Sequence, residues 1–117
     1  MESLAPYYAI ANQAVDAGNG HDLNKAMLES AAACGRVNVI RAELEDALLR
    51  AEHRQREALR ATDPDVSEAR LAASVKYLVL DERKAFQEAD NLAKTFDRRF
   101  KALQSALSFL RSELSMR

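Results

Sequence analysis

Cys34 is the only cysteine, so no intrachain disulfide can hold this chain together. Its alanine-rich surroundings make it read as a small buried or half-buried helix residue rather than a nucleophile. Three glycines and two prolines leave few places where the chain can turn cheaply, and tryptophan is absent. No apolar run approaches the roughly 18 residues of a membrane span, and the start "MESLAPYYAIANQAV" lacks a basic leader followed by a long apolar stretch. A cytoplasmic protein without membrane contact is the expectation. Nor does one sign of charge dominate: 18 acids against 17 lysines and arginines exclude a chain that is polybasic overall.

Chemistry-bearing constellations are equally scarce. His21 and His53 are far apart in sequence, and the carboxylates of "ELED" already have helical neighbours, so no metal site is expected. The run "GNG" at 18–20 lacks the Lys-Ser/Thr of a phosphate-binding loop and is preceded by no strand, which makes it a hinge. A narrow helical protein offers little concavity for a nucleophile beside a base. The reading is a non-enzymatic protein with no cofactor.

The chain is 48% hydrophobic and 30% charged, rich in Ala, Leu, Arg and Glu, the composition of a mainly helical and elongated single domain. Two points punctuate it. At "AGNGHD" the Gly18, Asn19 and Gly20 backbones tolerate positive φ and Asp22 can cap the second helix. At "ATDPDVSEAR" Asp63 as N-cap and Pro64 as first helical residue make a helix start, with Asp65 and Glu68 suiting its positive end. The spacing therefore predicts an all-α, coiled-coil-like long antiparallel hairpin with a short N-terminal helix, the helices spanning about 3–17, 22–61 and 64–115.

The first helix carries Leu4, Tyr7, Tyr8, Ala11, Ala14 and Val15 on one face. The second carries a strip of Leu23, Met27, Ala31, Cys34, Val37, Ile40, Leu44, Leu48 and Ala51, with a kink or break near Gly35–Asn38 as an alternative to continuity. The third carries Leu71, Val75, Leu78, Ala85, Ala89, Leu92 and Phe96 at 4-3 spacing, provided Glu82 is admitted, and continues through Phe100 with a stutter-like shift.

"FDRRFKALQSALSFLRSEL" at 96–114 holds both candidate sites. Residues 98–117 have five bases and one acid, the only strongly charged segment. Lys94, Arg98 and Lys101 share a face at i, i+4, i+7, and with Arg99 they could track the phosphates of a single-stranded nucleic acid or meet an acidic partner. Beside them Phe96, Phe100, Leu103, Leu107, Phe109, Leu110 and Leu114 form an apolar stripe that outruns the hairpin and needs cover from the first helix or from a second chain. A homodimer through this stripe, together with a protein partner, is the leading expectation. Nucleic acid is the alternative.

The arm "SEARLAASVKYLVLDERKAFQEADNLAKTFDRRFKALQSALSFLRSEL" and its "KALQSALSFLRSEL" end resemble, over roughly residues 40–114, small alanine-rich helical-hairpin proteins encoded in tailed-phage genomes. Some of those lie in replication and recombination gene clusters. The resemblance implies an accessory or inhibitor protein that acts by binding other proteins or single-stranded DNA, and it implies no site residue.

Overall fold

In a computed structural model, which describes residues 3–116, four helices succeed one another: α1 (Ala5–Ala11), α2 (Gly20–Thr62), α3 (Glu68–Leu78) and α4 (Leu80–Ser115). The described residues contain no strand. Helix α2 runs antiparallel to α3 and α4 in a rod of 75 × 25 × 16 Å, an all-α hairpin with a short N-terminal helix.

Each punctuation point does its work through a different residue from the one expected. Helix α1 ends at Ala11, short of 17, because Asn12 turns both its backbone N–H and its side-chain amide onto the Tyr8 carbonyl. Asn19, not Asp22, caps α2, its Oδ1 accepting from the His21 and Asp22 amides at 3.0 and 3.3 Å. No described residue adopts positive φ, so Gly18 and Gly20 are not there to supply it.

At the hairpin end Asp63 and Pro64 form a turn instead of a helix start. The Asp63 carboxylate and carbonyl accept from the Asp65 and Val66 amides, and the helix begins only after Ser67, whose Oγ accepts from the Arg70 amide. Val66, just before that cap, packs on the cluster containing Leu71, which stands at the fourth helical position and staples the entry of α3. Arg60 and Arg56 reach Glu68 across the turn at 2.8 and 3.9 Å.

The second arm is not one helix from 64 to 115. It breaks at Val79, whose backbone leaves the helical region at φ −107° and ψ 24°. A continuous helix would carry Leu78 and then Glu82 into the seam. The break turns β-branched Val79 inward to 1% exposure, leaves Leu78 48% exposed, and lets Glu82 stay only half-buried.

Helix α2, by contrast, passes Gly35 without a break. A Cβ at Gly35 would meet nothing within 4 Å, so only the helix penalty of glycine is felt there. Gly35→Ala is expected to raise stability by about 1 kcal/mol, read as a higher urea midpoint at unchanged slope. A neutral or destabilising result would mean that the α2 backbone is not helical at this position.

Three apolar clusters run along the rod. Leu23 and Ala26 meet Leu103 and Leu107; Val37, Ile40 and Leu44 meet Ala89, Leu92 and Phe96; Leu48 and Ala51 meet Leu71, Val75 and Val79. Helix α1 folds back onto the middle cluster, where Tyr7 and Ala11 are buried.

Candidate interaction surface

The seam of α2 runs Leu23, Ala26, Ser30, Ala33, Val37, Ile40, Leu44, at strict 3-4 spacing. Met27 and Cys34 lie half-buried at its margin and Ala31 is exposed, which corrects the expected strip by one position over its first half. On α4 the matching sequence is Ala89, Leu92, Phe96, Arg99, Leu103, so the heptad continues through Arg99 and needs no stutter at Phe100.

Arg99 is thus the side chain that sequence reasoning assigned to the wrong face. Its Nε donates to Ser30 Oγ at 3.1 Å, and its Nη1 donates to the carbonyl of Ala11, the last residue of α1, at 3.2 Å. Ser30 itself is 1% exposed. One guanidinium therefore ties α1, α2 and α4 together, and its charge sits at the negative end of the α1 dipole. A second tie is Tyr8, whose hydroxyl donates to Glu88 Oε1 at 3.0 Å. Burial, then the Glu88 carboxylate, hold the Tyr8 hydroxyl above its ordinary pKa.

The rest of the basic cluster splits. Lys94 is paired with Asp90 at 2.9 Å and Lys101 with Asp97 at 3.0 Å. Asp90 also accepts from Arg41 of α2 at 3.3 Å, and these cations, Lys94 foremost, hold its carboxyl below the usual aspartate range. Arg98 alone of the four is exposed with no ion pair among the described residues. Asp90 and Asp97 thus neutralise part of the row, as their i, i+4 spacing to Lys94 and Lys101 predicts, and leave Arg98.

The apolar stripe splits as well. Phe96, Leu103 and Leu107 are buried within the chain at 1, 7 and 8% exposure, and Phe100 and Leu110 are half-buried. Cover comes from the start of α2, which was expected to fall short: Leu23 packs on Leu107, and a Cβ at Gly20 would lie 3.5 Å from Leu110 Cδ2. Val15 in the connection after α1 packs on the same cluster. These residues face their own chain. Phe109 and Leu114 remain 66 and 60% exposed, joined by Met116 at 87%.

Between α2 and α4 the surface dips into an open groove of about 350 Å³ floored by Phe96 and Phe100 and flanked by Ala31, Cys34 and Gly35. Among the described residues no three His, Cys, Asp or Glu side chains are grouped to hold a metal ion, and no helix is long and apolar enough to cross a membrane. No protein-family model, curated protein or solved structure matches the chain.

Proposed function

We propose that this protein acts by binding rather than by chemistry, as an interaction module that presents the outer face of α4 to a protein partner, in the manner of a phage-type accessory or inhibitor protein. The observation that carries this reading is the exposure of Phe109 and Met116 at the end of the rod. With Arg98, Ala102, Ser105 and Ser112 they recur at 4-3 spacing on one exposed face of α4. A face with two exposed large apolar side chains, a cation at its start and a net positive surround fits a partner surface with apolar sockets and an acidic rim.

The unpaired Arg98 on this same face keeps single-stranded nucleic acid as the second reading. The two are separated by paired measurements on the wild type, Phe109→Asp and Arg98→Ala. A protein retained from host extract at moderate salt by the wild type and by Arg98→Ala, and lost from Phe109→Asp with unchanged helicity, is the expected result. Oligonucleotide binding that falls steeply with salt and disappears in Arg98→Ala would replace the protein partner with nucleic acid. Retention by Phe109→Asp equal to wild type would remove the α4 face from the reading.

A further inference from the structure

Helix α2 carries a second apolar strip, half a turn away from its seam. Leu28, Ala32, Gly35, Val39, Ala42 and Leu49 recur at 4-3 spacing with Asp46 as the one charged member, and every one of them is exposed. Leu28, Val39 and Leu49 are 74, 58 and 57% exposed, so none of the other three helices covers this face. The strip runs about 32 Å at 1.5 Å per residue. It keeps the 3-4 rhythm of the inner seam as far as Leu44, so both turn around α2 together. A helix that is apolar on two opposite sides is built for neighbours on two sides.

The charges flanking the strip say which neighbour. Glu29, Arg36, Glu43 and Arg50 stand at seven-residue intervals along one edge, alternating in sign. Laid antiparallel on a second copy of itself, with the twofold axis beside Ile40, α2 places Glu29 opposite the second copy's Arg50 and Arg36 opposite its Glu43. Each contact recurs by symmetry, giving four complementary pairs. The same register sets Val39 against the second copy's Ala42 and Ala32 against its Leu49. Asp46, ion-paired with Arg50 in its own chain, falls opposite the second copy's Gly35, where a Cβ would meet nothing within 4 Å and no side chain obstructs a carboxylate. A parallel, in-register pairing makes neither the Arg36–Glu43 contact nor the Asp46–Gly35 fit.

We infer that the outer face of α2 is a homodimer interface, an antiparallel α2–α2 pairing that makes a layer of four long helical arms with α2 at its centre. It uses a surface separate from the α4 face, so one molecule can dimerise and hold its partner at once.

Sedimentation equilibrium of the full chain tests this. The wild type is expected at twice the 13.0 kDa chain mass at micromolar concentration. Val39→Glu puts two carboxylates beside the axis and should give monomers, while helicity stays that of a folded chain because Val39 is exposed in the monomer. Arg36→Glu and Glu43→Arg should each weaken the dimer about tenfold or more by setting like charges opposite each other twice. Combined in one chain they restore the opposite-sign pairs and should recover the dimer, a rescue only the antiparallel register provides. A monomeric wild type overturns the inference. So does a dimer indifferent to Val39→Glu, or one that the double variant fails to restore. A dimer dissolved by Phe109→Asp but not by Val39→Glu would shift self-association to α4 and leave the α2 face without a role; partner capture by a monomeric Val39→Glu variant of a dimeric wild type is the result expected if the two surfaces are separate.

Discussion

Phe96→Ala is expected to be the most damaging single truncation in the rod. The ring is 1% exposed and sits where α1, α2 and α4 meet, against Ala33, Val37 and Ala93 and beside the buried Tyr7 and Ala11. Deleting it removes transfer free energy and leaves a cavity that α-helical backbones on three sides cannot close, a loss of about 3–5 kcal/mol. For a chain of this size total stability is about 5–15 kcal/mol, so the variant gives up about a fifth of it or more. Thermal or urea unfolding reads this directly. Phe109, in the same stretch of sequence and 66% exposed, supplies the control: Phe109→Ala should stay within about 0.5 kcal/mol of wild type. A loss below about 1 kcal/mol at Phe96 would mean that the ring is not in the core.

That contrast shows where sequence stops being informative. The all-α hairpin was legible, because Asn19 and "TDPDVS" interrupt an otherwise unbroken helical pattern and the apolar spacing is too regular for anything else. The limits of α2 came within two residues of 22–61. The face of each helix was harder to read. An apolar residue at 96, 100, 103, 107, 109, 110 and 114 says that α4 is amphipathic on more than one side, but which side meets the chain itself depends on where α2 begins. Gly20 lies beside Leu110, so Leu103, Leu107 and in part Leu110 are covered, while Phe109 is left out.

The seam was misread for a related reason. Admitting only apolar residues to it selects Met27, Ala31 and Cys34 on one helix and Phe100 on the other, with a stutter to excuse the phase. The 3-4 rhythm kept without exception would have passed through Ser30 and Arg99, two polar residues that are tolerable inside because they satisfy each other. The break at Val79 obeys the same logic in reverse, since there the polar residue in phase, Glu82, has no such partner and the backbone yields instead. Periodicity outranks polarity when a donor on one helix and an acceptor on its neighbour fall in register.

Arg99→Ala is therefore expected to act on stability and on α1, with no effect of the kind a phosphate contact would give. It strips the donor from the buried Ser30 Oγ and from the Ala11 carbonyl, a loss of about 1–3 kcal/mol. Arg99→Lys should recover little, since an ammonium lacks the planar fork that serves two acceptors on different helices at once. Arg99→Leu with Ser30→Ala should cost less than the two single losses combined, because it removes donor and acceptor together and leaves only the Ala11 carbonyl to find water. The local consequence falls on α1. Seven residues cannot hold a helix unaided, so with Arg99 gone α1 depends on the packing of Leu4, Tyr7, Ile10 and Ala11 and on the Tyr8–Glu88 bond. Amide exchange in residues 5–11 and proteolytic cleavage between 12 and 19 should both accelerate before α2 and α4 open. If Arg99→Ala instead leaves stability and α1 exchange unchanged while abolishing binding to a single-stranded oligonucleotide, the guanidinium faces solvent and the three-way tie is wrong.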